Sequence, residues 1–472
     1  MTVQKSTFAL FFGNRGFFPA SLIAEARETL PKVLKEWGHD VILLDEDATR
    51  HGAVETAIEG QTYANFLYEN KGKYDGVILC LPNFGDETGA STALKEAGVP
   101  ILIQAYPDEM DKMSPSQRRD GFCGKISIAD VFRQHNIKFT ALKPHVVHPE
   151  SQSFKAQVDY FDRVCRVVKG TKNMIVGAIG ARTTPFKTVR IDEIALQHHG
   201  ITVETLDMSE VIWRVKSMSN GDNAYKEKVQ MLQGYATWDE VPDTAFENIA
   251  KLAVVLDEII DEYQMDAIGI RCWTEIQKQL GISPCVMLGT LNNKGIGASC
   301  EVDIGSAITM RVLHLASGEP PACLDWNNNY YDEDDKCILF HCGPVPKELM
   351  ADAGRITDHD MLASTEGWGI GYGCHQGRLA SFEFTFSNLL TDRGALNWYL
   401  GHGEFTDDEI PQEFFGCAGV AEVKHLQEVL LYVMHSGHRH HVNITPGVHI
   451  DPLKEALEYY LEHQVAIPQE HS

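Results

Sequence analysis

Two carboxylates and a group of imidazoles are the residues of this chain best suited to act together. Glu301 and Asp325 lie 24 residues apart, His341 follows 16 residues later, and His438, His440 and His441 crowd a short stretch near the C-terminus. Carboxylate oxygens with one or two imidazole nitrogens suit a hard divalent cation such as Mn²⁺ or Mg²⁺. The same carboxylates can carry protons in general acid–base chemistry. Each residue alone also has a plain structural explanation. Glu301 stands just before a helix, where negative charge is favoured. Asp325 precedes Asn327-Asn328-Asn329, as turn residues do. His341 sits in the apolar run Cys337–Cys342, where a lone histidine is ordinarily part of a core. Their joint appearance is better explained by metal binding than by independent accidents.

The elements that must position them follow from the pattern. The helix after Glu301 is expected to start at Asp303 as N-cap, to carry Ile304, Ala307, Ile308, Val312 and Leu315 at helical spacing, and to stop at Gly318-Glu319-Pro320-Pro321. Asp325 ends the short apolar run Ala322-Cys323-Leu324, a place where α/β sites present side chains. Upstream, apolar runs at Thr7–Phe12, Val41–Leu44, Gly76–Pro82 and Pro100–Ala105 alternate with helical stretches, and a second set begins at Asn173–Gly180, Val203–Leu206 and Ala267–Ile270. Continuous apolar strands separated by helices indicate parallel sheets covered on both faces. From about residue 335 the pattern changes: Phe382, Phe384 and Phe386 alternate with Ser381, Glu383 and Thr385, which marks a half-buried strand. The expected fold is α/β, with two doubly wound parallel-sheet domains at residues 1–168 and 169–334, the second carrying Glu301 and Asp325. A C-terminal antiparallel β-rich, barrel-like domain over residues 335–472 carries His341 and His440, and a helix at Pro452–Leu461 closes it.

Bulk properties narrow the function. At 472 residues the chain is too long for one core, and about 150 residues per domain suggests roughly three domains. A formal charge of −25 argues against nucleic acid or an anionic membrane as partner. No stretch reaches the ~18 apolar residues of a membrane helix, and no signal-peptide pattern opens the chain, so a cytoplasmic location is expected. The 11 cysteines form no C-x-x-C pair and read as reduced, buried thiols rather than a zinc knuckle. Gly177-x-x-Gly180 lacks the remaining glycines and the lysine of a nucleotide loop.

Several segments together resemble the L-fucose isomerase / L-arabinose isomerase superfamily over essentially the whole chain. They are Cys300-Glu301-x-Asp303, Asp325 after a short strand, a late His-His-Val, Cys123-Gly124-Lys125-Ile126-Ser127, Gly180–Phe186 and Arg271-Cys272-Trp273-Thr274-Glu275. The resemblance implies a Mn²⁺ site, or one for Mg²⁺ or another divalent cation, held by Glu301, Asp325 and His440, with His441 as the competing ligand. Asp325 matches the fucose type; His341 matches by spacing the additional histidine of the arabinose type and is a possible metal or substrate contact. The implied activity is aldose–ketose interconversion of a monosaccharide through a cis-enediol, with Glu301 and Asp325 as the proton-transfer pair. The substrate range runs from L-fucose or arabinose to a modified hexose such as sulfoquinovose. Trp273 would stack on the sugar or else belong to the core. Arg15, after the first strand, would reach an anionic or hydroxyl-rich substrate, with the first domain completing a neighbouring subunit's site in a homo-oligomer, a hexamer or smaller. The alternatives are a non-catalytic intracellular sugar-binding protein, or a metal-dependent aldolase or hydrolase using the same ligands.

Overall fold

The computed structural model describes residues 3–470. They contain three sheets. The first has β1 (Phe8–Phe12), β2 (Val41–Leu43), β3 (Gly76–Leu81) and β4 (Ile101–Ala105) in the order β2-β1-β3-β4, all parallel. The second has β5 (Ile175–Ile179), β6 (Thr202–Leu206), β7 (Ala267–Ile270) and β8 (Gly297–Cys300) in the order β6-β5-β7-β8, again all parallel. β1, β3 and β4 are buried along their whole length. A strand covered by helices on both faces has no solvent side on which to alternate, so its sequence reads as an unbroken apolar run.

The third sheet has nine strands: β9 (Ala322–Asn329), β10 (Lys336–His341), β11 (Arg355–Thr357), β12 (Cys374–Arg378), β13 (Glu383–Asp392), β14 (Ala395–Phe405), β15 (Cys417–Glu422), β16 (His441–Pro446) and β17 (Gln464–Ala466). Their order is β11-β12-β15-β10-β9-β16-β13-β14-β17, and β14 also pairs with β15. That extra pairing closes six antiparallel strands into a ring, with the short strands β11, β12 and β17 attached outside it. Closure removes the free edges that a long open sheet would expose. Phe384, Phe386, Leu324, Leu339, Tyr399 and Val442 pack in its core.

Two details differ from the sequence reading. Asp325 does not end its strand: β9 runs on through Asn327, where the register shifts, to Asn328 and Asn329, which pair with β10 instead of forming a turn. Asn328 and Asn329 join the ladder while all three side chains face solvent, so turn-forming residues are tolerated in a strand. This strand belongs to the nine-stranded sheet, which therefore takes up residues ahead of position 335. The closing helix is also divided. Ile450–Lys454 is α-helical, and Glu455–Tyr460 continues as a wider π-type turn.

By contact the chain forms two compact units. One comprises Val3–Lys169 with Glu455–Glu462; the other contains Gly170–Lys454 with the residues from His463 onward. Within the first, Glu455 accepts hydrogen bonds from Thr140 (2.5 Å) and Tyr160 (2.6 Å), and Lys138 pairs with Glu462 at 2.6 Å. The second unit holds the second parallel sheet and the closed ring. Phe386 is fully buried in that ring, against Trp326 and Tyr399. Phe386→Ala is expected to destabilise this unit by about 3–5 kcal/mol, read as a fall in the urea midpoint of the transition reported by its tryptophans. A shift equivalent to well under 1 kcal/mol would show that the ring is not a packed core.

Candidate functional site

The chain leaves β8 at Cys300 through a turn in which Glu301 and Val302 both adopt left-handed backbone conformations (φ 62° and 57°). For a side chain with a Cβ, and above all a β-branched one, such φ values are strained by roughly 1–3 kcal/mol each. Strain of this kind persists only where surrounding contacts over-determine it. Here the contacts are those of Asp303, which caps the helix Ile304–Ser317 as its sequence suggests. Its carboxylate accepts from the Ser306 amide at 3.1 Å and the Ser306 hydroxyl at 2.7 Å. It also accepts from Arg439 Nη1 at 2.8 Å and from His441 Nδ1 at 2.7 Å. The Asp303 side chain is 0% exposed and that of Arg439 1%. Burial works against charge on Asp303, but the Arg439 guanidinium and the His441 hydrogen bond outweigh it and hold its pKa well below the usual carboxylate range.

The register of β9 and β16 brings the remaining groups together. His441 stands directly opposite Asp325, so the two side chains lie on one face of the sheet. His441 Nε2 is 3.1 Å from Glu301 Oε2 and 3.5 Å from Asp325 Oδ1. Both of those carboxylate oxygens are buried and lack a hydrogen-bond partner. Because Asp303 takes the Nδ1 proton, Nε2 presents either a lone pair or a second proton to two orphaned oxygens. Burial alone would discharge His441, but the Cys323 sulfur and the Asp303 and Glu301 carboxylates reverse that and raise its pKa well above the ordinary histidine value. Glu301 is buried too, yet His441, His341 and the Trp273 N–H draw its pKa below the ordinary glutamate value. Three acceptors converging on one point require a cation there, and a proton is the smallest that serves. One imidazole and two carboxylates are donors of the kind that hold Mn²⁺ or Mg²⁺, so these residues fit a divalent metal.

Of the residues singled out in the sequence, Glu301, Asp325, His341, His441 and Trp273 converge. Asp325, His341 and His441 offer donor atoms within 4.8 Å of one another, as do Cys300, Glu301 and His341. Trp273 donates its indole N–H to Glu301 Oε1 at 3.3 Å and packs edge-on against Phe186. His440 lies at the rim. Its side chain is 42% exposed, and its Nε2 approaches Asp325 only to 3.8 Å. It precedes the first residue of β16, so the cross-strand register selects its neighbour, His441. Arg15 belongs to the other compact unit. It follows β1, lies over the Phe84 ring at 4.3 Å, donates to the Gly85 carbonyl at 2.8 Å and pairs with Glu87. β1 and β3 are the adjacent strands from which that sheet is extended in opposite directions, the place where open α/β sheets bind ligands.

The sequence reading missed three contributors. Asp303 was read as a helix cap alone, and its hold on His441 went unseen. Arg439 went unnoticed, although its two-residue spacing from His441 is the signal that both reach the same side. Phe186, which forms an aromatic wall with Trp273 and His440, ends the Gly180–Phe186 segment that carried the resemblance, but it sits in a loop without regular periodicity and was given no role.

Asp303→Asn leaves the buried Arg439 without a counter-charge. The unit is expected to lose about 3–5 kcal/mol of stability, and divalent-cation affinity should fall about 10–100-fold because His441 loses its orienting partner. Pairing Asp303→Asn with Arg439→Met separates the effects, restoring most of the stability but not the affinity. Urea unfolding and Mn²⁺ titration calorimetry measure the two, and unchanged Mn²⁺ affinity in Asp303→Asn would contradict the orienting role.

Comparison with known proteins identifies the family. Residues 9–172 match the N-terminal domain model of fucose/sulfoquinovose isomerase, and residues 339–467 match the C-terminal domain model of L-fucose isomerase. A sulfoquinovose isomerase of Alkalicoccus urumqiensis is 22% identical over 396 residues, spanning 83% of this chain and 85% of that protein. One of Priestia aryabhattai is 22% identical over 392 residues, with 81% and 83% covered. Another, of Clostridium sp. (strain MSTE9), is 23% identical over 213 residues, with 44% and 46% covered. Since N- and C-terminal models of one family match in order and the relatives extend across the region between them, the chain belongs to the fucose isomerase superfamily as a divergent member.

Proposed function

We propose that this chain is an aldose–ketose isomerase acting on a monosaccharide, with a divalent cation held by Glu301, Asp325 and His441. The observation that carries the reading is the convergence of His441 Nε2 with two buried, partnerless carboxylate oxygens. His441 takes the ligand role first expected of His440, because it faces Asp325 across the β9–β16 ladder while His440 stands at the rim. Mn²⁺ is the preferred ion on this donor set. When bound, it would polarise the sugar's O1 and O2 and stabilise negative charge that develops there.

The protein's own groups supply the rest. In going from aldose to ketose, a hydrogen leaves C2 and one arrives at C1, while O1 gains the proton that O2 gives up. Glu301 and Asp325 provide the carboxylates for these transfers, on either side of His441. Trp273 keeps Glu301 oriented through its N–H bond and, with Phe186, offers an apolar wall for the C–H face of the ring. Similarity to proteins named sulfoquinovose isomerase supports sulfoquinovose as the first substrate to try, ahead of L-fucose and the arabinoses. Arg15 is the proposed contact from the N-terminal domain of another copy in a homo-oligomer of up to six chains. Among the described residues no helix is long and apolar enough to cross a membrane, and all 11 cysteines are free thiols. The thiols support a cytoplasmic setting.

A sugar panel with Mn²⁺, read as ketose formation at unchanged mass, tests the reading. A cleaved product would point to an aldolase or hydrolase, and binding without conversion to a sugar-binding protein. Glu301→Gln and Asp325→Asn are each expected to lower kcat by at least ~10³-fold with the fold intact by circular dichroism. Activity retained in either variant contradicts its assignment. Arg15→Met should raise KM more than it lowers kcat, and an unchanged KM would remove Arg15 from the site.

A further inference from the structure

His341 is a buried imidazole beside the proposed ligands that has no role in the scheme above. Its Nε2 is 3.2 Å from Cys300 Sγ. Its ring lies 5.6 Å from that of His441, and it offers a donor atom to the same group as Asp325 and His441. Proximity alone would make it a further metal ligand. The hydrogen bonding on the opposite side of the ring argues otherwise. The Cys342 amide N–H donates to His341 Nδ1 at 2.8 Å, and the Cys342 thiol lies 3.3 Å from the same atom. A nitrogen that accepts an amide proton carries none, so the ring proton of neutral His341 sits on Nε2. Gaining a further proton would not free Nε2, because both nitrogens of a charged imidazole carry one.

The two buried imidazoles are thus set in opposite senses. His441 donates its Nδ1–H to the Asp303 carboxylate, and its Nε2 faces the Glu301 and Asp325 oxygens. His341 accepts a hydrogen bond at Nδ1 from the Cys342 amide and presents Nε2–H to the site. A metal ligand needs the lone pair that His341 Nε2 lacks. The hydrogen-bond acceptor now in front of it, the Cys300 sulfur, is a weak one. A sugar oxygen carrying developing negative charge is a far stronger acceptor.

Resting on the isomerase reading, we infer that His341 is a catalytic hydrogen-bond donor rather than a metal ligand: Nε2–H donates to the sugar oxygen, O1 or O2, on which charge accumulates as C2 loses its proton. The Cys342 backbone amide is the group that keeps it in this role. No group is consumed: the proton stays on His341 or returns to it when the ketose forms.

Two measurements on the full chain test this. Mn²⁺ affinity by calorimetry is compared for wild type, His341→Leu, His341→Gln and His441→Leu, and kcat and KM are measured on the sugar that the wild type converts. Both His341 variants are expected to bind Mn²⁺ within about threefold of wild type, and His441→Leu on the order of 10–100-fold more weakly or worse. His341→Leu should lower kcat by about 10²–10³-fold with a smaller change in KM. His341→Gln, whose amide can still donate, should recover part of that loss and serves as the test if the Leu variant does not fold. Loss of Mn²⁺ affinity in His341→Gln as large as in His441→Leu would make His341 a ligand, and full kcat in either His341 variant would remove the donor; each result overturns the inference. A wild type that converts no sugar sinks the isomerase reading, and the donor role with it. The Mn²⁺ titrations would still show whether the tautomer argument against a ligand role holds.

Discussion

The buried carboxylate of Asp303 is the interaction on which the rest of the site depends. A fully desolvated charge is tolerable only when it is paired and its remaining lone pairs are satisfied. Asp303 meets that condition with a guanidinium, an imidazole, a hydroxyl and an amide drawn from two elements. In doing so it joins the N-terminus of the helix Ile304–Ser317 to the segment entering β16. The helix start determines where Glu301 stands, and β16 determines where His441 stands. One carboxylate thus sets the separation of two proposed ligands that are 140 positions apart in the chain.

The third ligand is set by a different kind of constraint. Asp325 is held opposite His441 by the β9–β16 ladder, and a slip of one residue would turn its side chain to the other face. That ladder is one seam of a closed ring, so its register is supported by every other seam. The site therefore joins a strained turn at the end of a parallel strand, which presents Glu301, to an antiparallel wall, which presents Asp325, His341 and His441. The left-handed conformations at Glu301 and Val302 are held by the Asp303 cap and by the burial of Val302.

Much of the architecture could be read in advance because it depends on local pattern. The parallel strands announced themselves as apolar runs, since both faces are covered. The helix after Asp303 had a cap, a stripe and a glycine stop. Glu301 and Asp325 were recognisable as a pair because they occur together with the imidazoles and their flanking segments resembled a known superfamily, although each alone had a plain explanation. The misreadings have equally local causes. Asn327-Asn328-Asn329 has turn composition, and only the pairing partner β10 makes it a strand. The helix after Pro452 looked like a lid on the β domain, yet Glu455 finds its hydrogen bonds on Thr140 and Tyr160, over 290 positions away.

By itself, the sequence determined the class of fold, the chemical types at the site and the kind of reaction those types suit, because each follows from residue identity and short-range periodicity. It could not separate His440 from His441. The two are adjacent and chemically identical, and only cross-strand register puts one against Asp325 and leaves the other at the rim. Nor could it tell that two buried histidines carry their protons on opposite sides. That depends on what each Nδ1 meets: for His441 a carboxylate from a distant turn, reached only once the strands are paired, and for His341 the next residue's amide, reached through the local turn at the end of β10.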